Sequence, residues 1–424
     1  MPSPSRTAAP HVLVIGGGVI GFSCAHALLK RGHQVTLIDR GEPQAESCST
    51  RNAGMIVPSH FIPLAAPGMI QLGLKWMLKP DSPFYIRPRA DAELAKWCWQ
   101  FFRASRRDRC ERAMPVMRDL LVESRELFDQ LARPEEIGFE LSDRGLIMLC
   151  KEQRTLDHEG EVAEEARALG IEARVLDSVE LAKLDPGARM DVAGGVHFPG
   201  DGFLKPDRFL ERLRSRVAQL GAEIHWGSAA GKFEIDGRRI VRVGGNGESR
   251  RVEEVVVAGG VWSTGLARQL GISLPMQAGK GYSVTLTQPP KIPEVCSILT
   301  EARVAVTPMG GDLRVGGTME ISGLDGSVSR RRVDGIARSL PRYFPEFGSE
   351  MFDDLPVWHG LRPCSPDGLP YIGRSGRYEN LTLATGHAML GLSLAPVTGR
   401  IVADILSGEP AGAVSALVSP DRYD

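Results

Sequence analysis

The residues with the clearest chemical meaning lie near the N-terminus. Gly16, Gly18 and Gly21 follow an apolar stretch, His11–Ile15, and precede a helix-forming segment; a second apolar stretch, Gln34–Ile38, ends on Asp39. A bare G-x-G-x-x-G says little, but here strand, glycines, helix, strand and acid stand in the order that a dinucleotide-binding βαβ unit requires. Gly16 permits the tight turn, Gly18 lets backbone approach a pyrophosphate, and Gly21 lets helix and strand pack closely. The helix N-terminus offers free N–H groups and positive dipole to phosphate, and Asp39 can accept from ribose hydroxyls. The ligand is FAD or NAD, and these residues alone leave that choice open.

A second glycine-lined turn stands near the C-terminus, where Gly386, Gly391 and Gly399 flank a turn that enters a helix. In a flavin site its N–H groups would face the N1/O2 edge, where negative charge develops on reduction. An ordinary β–α connection would read the same way. A pyridine-nucleotide dehydrogenase needs a second nucleotide fingerprint, and none is found.

The rest of the chain must position these turns. Its 424 residues suggest two domains. The 42% hydrophobic and 24% charged residues are ordinary for a soluble protein, and a net charge of −1 argues against general nucleic-acid affinity. Seven scattered cysteines show no metal-ligand spacing and fit a reducing compartment; no metal site is expected. No apolar run is long enough to span a membrane, and the first ten residues read as a disordered lead-in without a secretory signal. Alternation suggests strands over 141–149 and 172–176, helices over 161–169 and 178–184, and a helix-like stretch near 333–340. Phe209, Leu210, Leu213, Val217 and Leu220 form one helical apolar face. The pattern implies an α/β fold: a discontinuous Rossmann-like dinucleotide-binding domain (1–58, 195–275 and 359–424) and a second α+β domain on a mainly antiparallel sheet (59–194 and 276–358). Ligands are expected at the junction.

The blocks GGGVIG, STRNAGMI, DGFLKPDRFLERL, VVVAGGVWS, KGYSV, RVGGTMEI, GLRPCSPDGLPYIG and TGHAMLGLSLAPVTG run in order along nearly the whole chain. Together they resemble the FAD-dependent D-amino-acid dehydrogenase family, within the group of D-amino-acid, glycine and sarcosine oxidases. The resemblance implies non-covalent FAD, with the second domain over the flavin ring. Gly16, Gly18, Val19, Ile20 and Gly21 would meet the pyrophosphate, Asp39 and Arg40 the adenosine end, and Ala230 the adenine. Ser49, Thr50, Asn52, Ala53, Gly54 and Met55 would contact ribityl chain and flavin, with Gly260 beneath. Gly386, His387, Met389, Leu390, Gly391, Leu392 and Ser393 would wrap the pyrimidine end.

By the same resemblance Arg362, in GLRP, matches the arginine that holds the substrate carboxylate beside the flavin. A planar guanidinium suits that task because it makes two parallel bonds; the alternative is a salt bridge buried in the sheet. Tyr282 and Lys280, in KGYS, are expected at the catalytic pocket, although a lysine beside glycine also reads as solvent-facing. His60 is expected at the substrate pocket, and His60 and His359 read as structural histidines rather than bases. Ala305 and Met389 stand where glycine oxidases carry a tyrosine and a second arginine, which implies a roomier, less polar pocket.

The implied activity is oxidation of the α C–N bond of a D-amino acid (D-proline, cis-4-hydroxy-D-proline or a short aliphatic one) to an imine by hydride transfer to flavin N5. The alternatives are a glycine or sarcosine oxidase using dioxygen, and a subunit that only relays electrons. The expected acceptor is a quinone or other respiratory carrier. Basic and aromatic residues interleave over 75–118, which suits an anionic bilayer interface. Acidic residues dilute them, so the favoured reading packs the aromatics inside. A cytoplasmic protein is expected, with at most peripheral, salt-sensitive contact at the inner membrane face.

Overall fold

A computed structural model describes residues 9–79, 81–410 and 416–424. The strand His11–Ile15 lies inside a six-stranded sheet in the order Glu223–His225, Gln34–Ile38, His11–Ile15, Glu254–Val257, Leu381–Thr385, Tyr371–Arg374. All neighbours are parallel except the last pair. Both faces are covered, so these strands are apolar without alternation. Val12, Val14 and Val256 pack on one side with Phe22, Leu28 and Ile401 from the helices Val19–Lys30 and Ala395–Leu406. Leu13, Ile15, Val255 and Val257 pack on the other with Ile240 and Val243, from a three-stranded antiparallel layer. The two helices touch closely: a Cβ at Gly399 would lie 2.4 Å from the Ser23 carbonyl oxygen.

A second sheet has nine strands. Along its main path run Trp358–Cys364, Gln277–Leu286, Leu313–Ile321, Val304–Pro308, Cys296–Leu299, Leu146–Cys150, Gly194–Phe198 and Arg174–Asp177; Phe84–Ile86 pairs to the side of Leu313–Ile321. Most neighbours are antiparallel; Cys296–Leu299 with Leu146–Cys150 and Leu313–Ile321 with Phe84–Ile86 are parallel. One face carries the helix Arg330–Tyr343, whose Val333, Ile336 and Leu340 pack on Val304, Val306 and Val315. The opposite face turns toward the dinucleotide-binding sheet.

Two sequence expectations shift at the sheet edges. Residues 195–198 and 359–364 are expected in the cofactor unit, yet their strands pair in the nine-stranded sheet. An apolar strand carries no mark of which sheet it joins; its pairing partners, far off in sequence, decide. The stretch 141–149 is two strands, Leu141–Ser142 and Leu146–Cys150, broken where Gly145 takes a φ of +82°. Ser178–Leu184 is a helix as expected, capped by Asp177 with Glu180 in a capping box. Among the described residues no helix is long and apolar enough to cross a membrane.

Candidate active site

Between the sheets lies a cavity of about 1290 Å³. That exceeds the roughly 300–1,000 Å³ typical of a small-molecule site, leaving room for a long ligand together with a small one. Gly16, Gly18, Val19, Ile20, Asp39, Arg40 and Ala230 line the cavity, together with Ser49, 51–55, Gly260 and 387–393.

The fit to a dinucleotide is steric as well as topological. Gly16 has a φ of +121°, and a Cβ there would lie 2.5 Å from the Ala258 carbonyl oxygen. A Cβ at Gly21 would lie 1.8 Å from the Gly16 carbonyl oxygen, so these two glycines let turn, strand and helix close up. Gly18 differs. A Cβ there would meet only Ser49 Oγ, at 3.2 Å, so the space in front of it belongs to the cavity. Gly18 is also the helix N-cap and carries no capping side chain; Ser49 Oγ takes the Val19 N–H at 2.9 Å, at the helix end where an anion would sit. Asp39 accepts from the N–H groups of Gly17 (2.6 Å) and Gly41 (2.7 Å), fixing its carboxylate at the strand end. Thr50, Gly21 and Gly386 do not reach the cavity wall. Thr50 Oγ1 accepts from Ser47 N at 2.9 Å, and Gly386 packs against the Tyr371 ring.

The middle segment is built by its own side chains. Asn52 Nδ2 donates to the Cys48 carbonyl (2.9 Å), while its Oδ1 accepts from Gly54 N (2.7 Å). Arg314, a buried arginine on the second sheet, donates to the Asn52 carbonyl at 2.9 Å. Ser393 Oγ donates to the Met55 carbonyl at 3.0 Å, tying the C-terminal loop to this segment. His387 is buried, and its Nε2 meets Thr398 Oγ1 at 3.0 Å; burial pushes its pKa down to about 3, so the ring is neutral.

Arg362 stands on the edge strand Trp358–Cys364, facing the cavity. Its Nη1 donates to the Thr318 carbonyl at 2.7 Å, and no carboxylate forms an ion pair with it among the described residues. The alternative of a salt bridge within the sheet therefore falls. Burial lowers its pKa, but a guanidinium remains charged. Its resting place depends on Gly281 across the strand pair, where a Cβ would lie 2.2 Å from both Nη atoms. Thr318 has a φ of 72° at a register shift between its strand and Gln277–Leu286, so a local distortion aims the carbonyl. A charged fork without a counter-ion, in a cavity, can grip a carboxylate through two hydrogen bonds.

Lys280 is corrected, whereas Tyr282 lines the cavity as expected but has its hydroxyl engaged elsewhere. Side chains alternate along a strand; Gly281 takes the Arg362 face, so its neighbours take the other. Lys280 is completely buried, with Nζ donating to the carbonyls of Ser327 (2.7 Å) and Asp325 (3.2 Å) and lying 3.6 Å from Glu320. Tyr282 Oη donates to Glu320 Oε2 (2.8 Å) and accepts from Ser329 N (3.3 Å). Both fasten the 325–329 loop to the sheet, and neither polar end is offered to a ligand. Tyr282, His60, Ala305, Met389 and His359 line the cavity, with Met389 exposed. Sequence reasoning missed Arg314 and Arg303. Arg303 lines the cavity and has no side-chain partner among the described residues.

The basic–aromatic segment also departs from the favoured reading. Trp97 is buried and donates to the Cys364 carbonyl, but Trp99 and Phe102 are 60% and 56% exposed, stacked at 5.7 Å. Leu74 and Leu78, at 61% and 86%, are exposed as well, and Leu74 and Phe102 rim the cavity.

A parallel glycine-turn sheet facing a second sheet that carries an unpaired arginine defines a flavin-type oxidoreductase. Residues 11–405 match the FAD dependent oxidoreductase family (DAO), and the chain belongs to that family, with FAD as its cofactor. It is 33% identical over 420 residues to a D-amino acid dehydrogenase of Methylobacterium radiotolerans, covering 97% of this chain and 99% of the relative. Identity to a D-amino acid dehydrogenase of Bradyrhizobium diazoefficiens is 34% over 418 residues, 97% of this chain and 98% of the relative. Glycine oxidase from Geobacillus kaustophilus has the same fold, with a TM-score of 0.78 at 24% identity, covering 99% of this chain and all (100%) of that one. L-proline dehydrogenase from P. horikoshii gives 0.71 at 19% identity, covering 98% and 97%.

Proposed function

We propose that the protein is a D-amino-acid dehydrogenase that oxidises the α C–N bond of D-proline, cis-4-hydroxy-D-proline or a short aliphatic D-amino acid to an imine. The observation that carries this reading is Arg362: an unpaired guanidinium in the cavity that the nucleotide-binding glycines also line. FAD supplies the hydride acceptor. Arg362 takes the substrate carboxylate and is itself aimed by Thr318 and accommodated by Gly281. Ala305 leaves space for a ring or short side chain. Holding carboxylate and Cα in one orientation supplies most of the acceleration. The imine then hydrolyses to a 2-oxo acid or, from a cyclic substrate, persists as a pyrroline. We place ribityl chain and flavin on Ser49, 51–55 and 387–393, and the domain division along the two sheets.

The proposed acceptor is a quinone. The exposed side chains of Leu74, Leu78, Trp99 and Phe102 by the cavity mouth support a peripheral membrane contact. Lys75, Lys79 and Arg103, exposed and without ion pairs among the described residues, would face the lipid headgroups. Anaerobic flavin bleaching with D- and L-amino acids tests the substrate class. Peroxide yield under air tests the acceptor: rapid stoichiometric peroxide would make the enzyme an oxidase.

A further inference from the structure

The short strands Met55–Ile56 and Gly202–Leu204 pair with Ile56 opposite Gly202, which brings the residues beyond each end together. Asp201, with no exposed surface, meets Ser59 there: its Oδ1 accepts from Ser59 N at 3.0 Å and its Oδ2 from Ser59 Oγ at 2.5 Å. Ser59 Oγ in turn lies 3.0 Å from His60 Nδ1. His60 lines the cavity, and its Nε2 has no protein partner among the described residues. A carboxylate, a hydroxyl and an imidazole thus run in series from the interior to the cavity wall.

Hydrogen-bond arithmetic couples the three. A hydroxyl has one proton. While Asp201 is ionised, Ser59 gives it that proton and can only accept from His60, so Nδ1 carries the hydrogen and Nε2 presents a lone pair to the cavity. Once Asp201 is protonated, it donates to Ser59, Ser59 donates to Nδ1, and the hydrogen moves to Nε2. The chain can therefore take up one proton without forming an imidazolium.

We propose that His60, Ser59 and Asp201 form a proton-transfer chain that takes the proton from the substrate's ammonium group inside the cavity. Resting on the amino-acid reading above, it meets a requirement of that chemistry, since only the neutral amine can release a hydride from its α-carbon. His60 Nε2 takes the ammonium proton, the Nδ1 proton passes to Ser59 Oγ, and the hydroxyl proton passes to Asp201 Oδ2. The products are a neutral amine, a neutral imidazole and a carboxylic acid. The surroundings favour that end state. Burial, with Arg303 nearby, pushes the His60 pKa down to about 4. Burial raises Asp201 to about 7, against the pull of the Ser59 bonds and of Arg125. Cys296, the other titratable group beside Asp201, is held protonated by burial and by that carboxylate.

Two measurements test this on the FAD-loaded protein. Nitrogen-15 NMR of histidine, with His60 assigned through His60→Gln, should show the Nδ1–H tautomer above about pH 7 and the Nε2–H tautomer below it. Ser59→Ala should abolish the switch. Anaerobic stopped-flow reduction by D-proline at pH 7 should slow by about 10- to 100-fold in Ser59→Ala and Asp201→Asn, and the gap should close above the pKa of the free amine. A His60 tautomer that ignores pH overturns the chain, as does a loss that persists at high pH. If the wild type is reduced and both variants keep its pH profile, the chain fails while the amino-acid reading stands. A wild type that no amino acid reduces overturns both.

Discussion

Arg362→Ala should leave a folded, FAD-loaded protein that has lost its grip on the substrate carboxylate. In the wild type one Nη1 hydrogen is held by Thr318, leaving the remaining guanidinium hydrogens, with no competing carboxylate, for a ligand. Losing a two-point, charge-assisted contact in a partly dry cavity costs about 2–4 kcal/mol. At about 1.4 kcal/mol per tenfold this is roughly a 30- to 1,000-fold fall in kcat/KM. The loss should fall mainly on KM, since water entering the space can hydrate the carboxylate only in part. Arg362→Lys should recover little, because one ammonium cannot reproduce the fork. Gly281→Ala offers an independent approach: its Cβ would stand 2.2 Å from both Nη atoms, so the guanidinium must move although it is not itself changed. The assay is steady-state turnover of D-proline with a dye acceptor, alongside FAD stoichiometry and Tm. A change below threefold in Arg362→Ala, with FAD retained, would remove Arg362 from substrate binding.

Three further outcomes are expected. The purified protein should be yellow and release its flavin into the supernatant on acid precipitation; flavin remaining in the pellet would refute non-covalent binding. Burial holds folded His387 to about 3 and His26 and His60 to about 4, against 6.5 when unfolded. As pH falls below 6.5 the unfolded chain binds protons that the folded chain refuses, so stability drops. Asp201, raised from 3.8 to about 7, has the opposite sign and offsets part of the loss. Tm should fall from pH 6.5 to 4.5, less steeply in His387→Gln, and a flat profile would contradict the burial argument. The protein should co-sediment with anionic vesicles at low salt and release at high salt. Trp99→Glu combined with Phe102→Glu should weaken that binding, whereas equal sedimentation of wild type and variant would exclude this patch.

The dinucleotide-binding half was legible because it is local. The strands His11–Ile15 and Gln34–Ile38 match their apolar runs, and the glycine spacing between them is itself the signal, although the close contact of Gly16 is with Ala258, far off in sequence. The second sheet was legible as strands but not as a sheet, since its pairings join residues far apart in sequence. That gap explains the miss at Lys280. Alternation put Lys280 and Tyr282 on one face and Gly281 on the other, but only the pairing with Trp358–Cys364 tells which face carries Arg362. The same gap hid Arg303 and Arg314, whose roles follow from what lies across the cavity rather than from their neighbours in the chain. Trp97, Trp99 and Phe102 share one helix, Ala92–Ala104, and its buried side alone could not be read from interleaved arginines.

The most direct test is rapid anaerobic mixing of the FAD-loaded protein with D-proline, L-proline and D-prolinamide, following flavin absorbance. D-proline should bleach the flavin fully. L-proline should leave it oxidised because, with the carboxylate on Arg362, its α-hydrogen points away from the ring. D-prolinamide, which keeps the amine and the handedness but lacks the carboxylate, should react at least about 30-fold more slowly, the lower bound set by the lost charge-assisted contact. Equal bleaching by the amide and the acid, or by both hands of proline, would contradict the central claim.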